Sequence, residues 1–215
     1  NDIGLYLQYY FDFRITGGNV LGNYKESIAI IIPALDPDER MVSLVGQLHD
    51  DGFSNIILVD DGSLIANRKY FKTCKETCHC KIIRHVVNFG KGIALKSAFN
   101  YILEQRPDIK GAVTVDCDGQ HVLTDINTCA KLTYEHPDSL ILGCRQFDDK
   151  EIPLRSRFGN KLTRQMIRLL CGIHVSDTQT GLRGLPTPLI REHFANVKGE
   201  RLSLIHISEP TRLRC

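Results

Sequence analysis

Apolar and polar positions along this chain switch repeatedly between a strand-like and a helix-like period. Residues 27–32 form a compact β-branched run stopped by Pro33. Asp36-Pro37-Asp38-Glu39 follows and reads as a helix start, with Asp36 as cap, Pro37 in the first turn and Glu39 three residues past the cap. Met41, Leu44, Val45 and Leu48 then mark one apolar helix face. A second strand is expected over 55–59, a polar helix to about Cys78, and a short strand over 81–85. Gly90-Lys91-Gly92 opens a helix whose buried side carries Ala94, Leu95, Ala98, Phe99 and Ile102. A strand over 111–115, a helix over 125–134 and a strand over 140–143 continue the alternation. Strands alternating with helices imply an α/β fold, with a mostly parallel sheet covered on both faces.

Residues 155–170 read as a long amphipathic helix, with Phe158, Leu162, Met166 and Leu169 on one side and Arg157, Lys161, Arg164 and Arg168 near another. These charges are either a solvated face or a surface for phosphates or anionic lipid. Residues 1–26 are aromatic and apolar early and glycine-broken later, and are expected to form an N-terminal extension. The α/β rhythm stops after Gly199-Glu200-Arg201. Residues 202–215 resemble a translated sequencing adapter and are expected to be a non-native tail, the gene product being cut off at about Arg201.

Composition narrows the class. At 215 residues, 42% apolar and 24% charged, the chain suits one soluble globular domain, or one and a fragment, with a substantial core. A net charge of +2 gives no argument for nucleic-acid binding. No apolar run reaches the length of a membrane span. Of eight cysteines, Cys74, Cys78 and Cys80 with His79 superficially suggest metal ligation, but no second ligand pair stands at a finger-like distance. Cys117, Cys129, Cys144 and Cys171 read as small core residues. A reducing, cytoplasmic setting is expected.

The chemistry lies where the strands end. The strand over 111–115 delivers Asp116-Cys117-Asp118-Gly119-Gln120-His121, two carboxylates spaced i, i+2 at the edge where an open α/β sheet places its ligands. Such acids can share one hard divalent cation, Mg2+ or Mn2+, which can in turn hold a diphosphate. Gln120 can join that shell directly or through water. The second strand ends in Asp60-Asp61-Gly62-Ser63, which alone could be an Asx turn opening a helix. With Asp116 and Asp118 on a neighbouring strand end, a nucleotide contact from Asp60 or Asp61 becomes the stronger reading, with backbone near Pro33 and Ala34 beside it. A Walker motif, a G-x-G-x-x-G turn after the first strand and a G-x-S-x-G elbow are all missing. A response-regulator-like domain would not need residues 120–185.

These blocks together resemble the family 2 glycosyltransferases, which have the GT-A fold. The resemblance rests on Ile31-Ile32-Pro33-Ala34, Val59-Asp60-Asp61-Gly62-Ser63, Asn88-x-Gly90-Lys91-Gly92-x-Ala94-Leu95, Asp116-x-Asp118-Gly119-Gln120-His121, Gly143-Cys144-Arg145 and Asp177-Thr178-Gln179-Thr180-Gly181-Leu182-Arg183. It covers residues 27–201, an incomplete catalytic domain, and is nearest to the dolichyl- and undecaprenyl-phosphate sugar transferases. It implies metal-dependent, inverting transfer from a nucleoside-diphosphate sugar to a polyprenyl phosphate, by a cytoplasmic domain that can associate with the membrane. By resemblance, Pro33, Ala34, Asp60, Asp61, Lys91 and Asp116 face the nucleotide. Asp118 and Gln120 hold the metal, and Asp118, Arg145 and Asp177 serve the reaction. Arg155, Arg157 and Gln179 face the acceptor. The other readings are transfer to a saccharide or protein hydroxyl, with Asp177 as base, and a non-catalytic nucleotide-sugar-binding domain. The usual start after Pro-Ala is altered to Leu35-Asp36-Pro37. The chain contains no Trp, which disfavours the processive synthases with their Gln-x-x-Arg-Trp motif.

Overall fold

In the computed structural model, residues 23–143 and 181–196 are described. They begin with a helical turn, α1 (Tyr24–Ser27), and β1 (Ile28–Ala34), followed by α2 (Glu39–Asp50) and β2 (Ile56–Asp61). A short 3-10 turn leads into α3 (Arg68–Cys78), then β3 (Lys81–His85), α4 (Lys91–Gln105), β4 (Gly111–Thr114) and α5 (Leu123–Glu135). β5 (Ile141–Leu142), β6 (Arg183–Pro186) and α6 (Thr187–Asn196) complete the set. The six strands form one sheet in the order β3-β2-β1-β4-β6-β5. β1 to β4 pair in parallel, and β6 runs antiparallel to both its neighbours.

The sheet is central because its strands are apolar on both faces. All seven residues of β1 are buried. Ile30, Ile32 and Leu58 pack with Met41, Leu44, Val45 and Leu48 of α2, Phe71 of α3 and Ile126 of α5. The alternate residues Ile31, Val59 and Ala112 pack with Ala94, Ala98, Phe99 and Ile102 of α4 and Ile190 of α6. The amphipathic faces expected for α2 and α4 are therefore the faces that are buried. Residues 23–27 are tied to this body. The Tyr24 hydroxyl donates to Asn127 Oδ1 at 2.8 Å, and Lys25 Nζ lies 2.9 Å from Asp51.

Several boundaries differ from the sequence expectation, among them β2, which runs on through Asp60 and Asp61, the end of β1 and the start of α2. β1 does not stop at Pro33 but continues to Ala34. Ile30 N–H bonds toward β2, while the Ile31 carbonyl accepts from Val115 on the β4 side. The alternation turns Pro33 toward β4, beyond the last β1–β4 pair at Ile31 and Thr114, so its missing N–H costs no ladder bond. The cap of α2 is Asp38, whose carboxylate accepts from Arg40 N–H at 2.9 Å, and not Asp36. The chain leaves β1 through a left-handed Asp36 at φ 48°. That residue's carboxylate is taken by Leu64 N–H at 2.8 Å and Asn67 Nδ2 at 3.0 Å.

Cys74, Cys80 and Cys129 are buried, and Cys117, in the loop after β4, is half-buried and packed against the core. No helix among the described residues is long and apolar enough to cross a membrane. The expected helix over 155–170, most of the N-terminal extension, Cys144, Cys171 and the tail over 202–215 lie outside the described residues.

Candidate active site

Among the parallel strands the sheet order has one reversal. From β1 the chain steps outward to β2 and β3, then returns to place β4 on the other side of β1. Loops leaving β1 and β4 diverge there, and the crevice between them is the default ligand position of an open α/β sheet. The predicted acids of β2 and of the post-β4 loop lie at this carboxyl edge.

Asp60 and Asp61 end β2 as buried residues, and each carboxylate uses both oxygens within the protein. Asp60 is fully buried. Its Oδ1 accepts from Ser63 N–H at 2.9 Å and its Oδ2 from Arg84 Nε at 2.8 Å. Ser63 Oγ in turn accepts from Asp36 N–H at 2.9 Å, joining the exits of β1 and β2. Asp61 accepts from Phe89 N–H at 3.1 Å and Gly90 N–H at 2.8 Å, and pairs with His85 Nδ1 at 2.7 Å. The other nitrogen of His85 meets Ser97 Oγ of α4 at 2.9 Å. The register that sets Asp60 beside Arg84 and Asp61 beside His85 thus makes these acids staples of the loops around the crevice.

Through Gly90 the Asp61 network reaches the second acidic group. Lys91 opens α4, and its ammonium bonds to Asp116 Oδ1. The imidazole of His121 is buried, with Nε2 3.9 Å from Asp116 Oδ2. At that distance the contact is electrostatic, and Nε2 has no hydrogen-bond partner among the described residues. His121 first, then Lys91, hold the Asp116 carboxyl well below the usual carboxylate range against the opposing effect of burial. Gly181, next to the start of β6, lies against the same carboxylate. A Cβ built there would sit 2.0 Å from Asp116 Oδ2. Thr114 Oγ1 fixes that approach by donating to the Gly181 carbonyl at 2.9 Å.

Asp118 is different. It is half-buried, and Oδ1 accepts from Gln120 N–H at 3.0 Å. Its second oxygen makes no hydrogen bond among the described residues. Burial first, then Asp116 and Asp118, push the intervening Cys117 thiol up. Among the described residues no three His, Cys, Asp or Glu side chains converge on a metal position. The oxygens of Asp118, with Asp116 and the Gln120 amide nearby in the chain, nonetheless suit a hard divalent cation that draws further oxygens from a phosphate-bearing ligand.

Pro33 and Ala34 are buried at the end of β1, with Ala34 in register with Asp60. The structure therefore brings Pro33, Ala34, Asp60, Asp61, Lys91, Asp116, Asp118 and Gln120 to one edge. Arg145, Arg155, Arg157, Asp177 and Gln179 lie outside the described residues. Sequence reasoning did not single out Arg84, His85 or Ser97, nor Gly181 as the residue that admits the Asp116 carboxylate. Only register and tertiary approach reveal them. A cavity of about 750 Å³ lined by Ile109, Thr133, Tyr134, Thr187 and Pro188 contains none of the acids, so it lies apart from this chemistry.

Residues 30–194 match the family described as Glycosyl transferase family 2. The chain belongs to that family. This family 2 glycosyltransferase chain is 30% identical over 190 residues to the UDP-N-acetylglucosamine–dolichyl-phosphate N-acetylglucosaminyltransferase of Methanococcus voltae, covering 81% of this chain and 75% of that one. It is 29% identical over 180 residues to an uncharacterized protein of Methanocaldococcus jannaschii, covering 82% and 72%. Among solved structures it resembles glucosyl-3-phosphoglycerate synthase of Mycobacterium tuberculosis in complex with Mn2+, UDP-glucose and phosphoglyceric acid. That match has a TM-score of 0.53 at 17% identity and covers 76% of this chain and 57% of the other. The complex of the same enzyme with phosphoglyceric acid gives 0.55 at 16%, covering 81% and 63%. The chain thus spans less than two thirds of these solved structures. The fold is the GT-A fold, a mixed six-stranded sheet flanked by helices.

Proposed function

We propose that this chain is the donor-binding part of a glycosyltransferase that moves a sugar from a nucleoside diphosphate onto a polyprenyl phosphate, with inversion at the anomeric carbon. One observation carries the reading. Asp118 presents at the carboxyl edge a carboxylate oxygen with no hydrogen bond among the described residues, two residues from an Asp116 that Lys91 and His121 keep ionised. Asp118, with Gln120, would hold Mg2+ or Mn2+, and a cation there supplies neutralisation of the charge that grows on the leaving diphosphate. The Mn2+ in the related solved complex and the dolichyl-phosphate transferase among the relatives support this reading.

The chain's own groups have separable tasks. The Asp61 staple holds the Phe89-Gly90-Lys91 turn at the nucleotide side of the crevice. Lys91, tethered to Asp116, stands where it can exchange that partner for a diphosphate oxygen. Arg145, Arg155 and Arg157 would orient an anionic acceptor through paired hydrogen bonds. A phosphate acceptor is already nucleophilic and needs little general-base help, so Asp177 and Gln179 would position rather than deprotonate it. The working site would be a membrane surface on the cytoplasmic side.

The test is calorimetry of UDP binding with and without Mn2+, followed by transfer from labelled UDP-sugars to dolichyl phosphate. Asp118→Ala is expected to abolish the metal-dependent part of UDP binding, a loss of at least about tenfold in affinity, and with it transfer. Unchanged metal dependence in the variant would reject the metal role. Label confined to water-soluble saccharide or protein would reject the lipid acceptor.

A further inference from the structure

All eight exposed large apolar side chains among the described residues lie at one end of the molecule. They are Leu35, Leu64, Ile65, Val86, Val87, Phe89, Ile93 and Val122. Each belongs to a segment leaving the carboxyl end of a strand or to a helix start beside it, on the same edge as Asp116 and Asp118. Five of the eight fall on two loops, those after β2 and β3. Val86 is 89% exposed and Ile65 81%, values that a water-facing loop has no reason to assign to β-branched residues.

These loops are not loose. Gly62, at φ 83°, lies so close to the backbone of Val87 and Asn88 that a Cβ there would come within 2.3 Å of the Val87 carbonyl carbon. Asp61 binds the amides of Phe89 and Gly90 from beneath, and the Phe89 ring stacks edge-on against His85 at 5.4 Å. The fold thus holds an apolar ridge outward on a buried hydrogen-bonded base.

The segment that carries the ridge is basic. Residues 62–103, which contain both loops, α3, β3 and most of α4, include eight lysines and arginines and one acid, Glu76. The whole chain has a net charge of only +2, so the remainder is net negative. Arg84 and Lys91 are paired with Asp60 and Asp116, and Lys72 is 3.7 Å from Glu76. Lys69, Lys75 and Lys81 are exposed with no acid paired to them among the described residues, and Arg68 beside Lys69 opens α3. Arg68 and Lys69 stand beside the ridge at the start of α3, whereas Lys75 in its last turn and Lys81 at the start of β3 lie toward the opposite edge. Exposed apolar tips next to Arg68 and Lys69 complement a bilayer that offers an apolar interior beneath an anionic surface.

We propose that the ridge formed by the loops after β2 and β3 docks this domain onto an anionic phospholipid bilayer, with the crevice edge turned to the membrane. This assigns a surface to the membrane-site reading given above and rests on that reading for its purpose, although not for its geometry. Ile65, Val86 and Val87 enter the headgroup region, while Arg68 and Lys69 at the start of α3 supply the attraction that brings them there. The opposite edge carries no exposed large apolar side chain among the described residues, so docking is one-sided.

The test is co-sedimentation of the chain with vesicles of phosphatidylcholine alone and of phosphatidylcholine with phosphatidylglycerol. Binding is expected only to the anionic vesicles, and it should be released by raised salt. The triple variant Ile65→Ser, Val86→Ser, Val87→Ser should reduce the bound fraction to that on neutral vesicles, and Lys69→Glu should lower it on anionic vesicles. Melting temperature and UDP–Mn2+ binding should remain as in the parent, which separates docking from folding and from the donor site. A parent that ignores anionic vesicles, variants that bind like the parent, or binding insensitive to salt would each overturn the proposal. Vesicle binding through the ridge combined with transfer only to hydroxyl acceptors would keep the docking face and reject the lipid acceptor. Transfer to dolichyl phosphate in detergent without vesicle binding would do the reverse.

Discussion

At the scale of single residues, Gly181 and the buried thiols make the sharpest demands. A methyl group at Gly181 would meet the Asp116 carboxylate at 2.0 Å, so Gly181→Ala must displace either β6 or the acid. The expected cost is about 1–3 kcal/mol of stability, measured by urea unfolding, together with weakened UDP–Mn2+ binding under conditions where the variant is folded. Unaltered affinity would mean that the approach of Gly181 to Asp116 is packing alone. Burial pushes Cys74 up to about 11, and Cys80 and Cys129 up to about 12, from an ordinary value of 9.0. In the unfolded chain these thiols lose protons above about pH 8.5–9, whereas the folded chain keeps them. The folded state therefore binds more protons in that window. This contribution to stability is intact below pH 9 and falls as pH rises toward 11–12. Chemical denaturation at stepped alkaline pH checks the sign, and iodoacetamide should label these three slowly at pH 8 until denaturant is added.

The elements owe much of their arrangement to pairs between neighbours. β2 and β3 are joined by backbone bonds and also by Asp60–Arg84 and Asp61–His85. Removing Arg84 would leave Asp60, fully buried, with one of its oxygens unpaired. A fully buried ion pair broken on one side costs about 3–5 kcal/mol. Arg84 is 46% exposed, so solvent recovers part of that, and Arg84→Met is expected to cost about 1–3 kcal/mol. Adding Asp60→Asn should restore part of the loss, because the amide oxygen can still accept from Ser63 N–H and no charge remains stranded. A double variant whose loss equals the sum of the two single losses would show that the pair is not coupled.

For the molecule as a whole, β1 is the shared wall of two cores. Ile30 belongs to the layer with α2, α3 and α5, and Ile31 to the layer with α4 and α6. Both are fully buried. Ile30→Ala and Ile31→Ala should each lower stability by about 2–5 kcal/mol and shift one common urea transition seen by both circular dichroism and tyrosine fluorescence. Two separate transitions, each moved by only one of the substitutions, would show that the layers unfold independently. The same two-sided sheet gives the molecule its polarity, since the acids and the exposed apolar ridge all occupy its carboxyl edge.

Strand and helix identity followed from the chain alone wherever burial is periodic. The apolar positions of α2 and α4 repeat at helical spacing, and the runs of β1, β2 and β4 are apolar on both faces, so one packing solution satisfies them. The site's location was legible for the same reason: Asp60, Asp61, Asp116 and Asp118 stand where apolar runs end. What those acids do was not legible. Asp60 and Asp61 are committed to Arg84, His85 and the Phe89–Gly90 amides by strand register, which local pattern does not encode. Asp38 rather than Asp36 caps α2 because a contact from the β2 exit claims the Asp36 carboxylate. The Asp116 carboxyl is held below its usual range because the buried His121 of its own loop and Lys91 from the start of α4 face it. Local sequence determines which residues must leave water, and in what period. Tertiary structure alone decides which polar groups meet once they have left it, because those partners are set by the packing of distant segments.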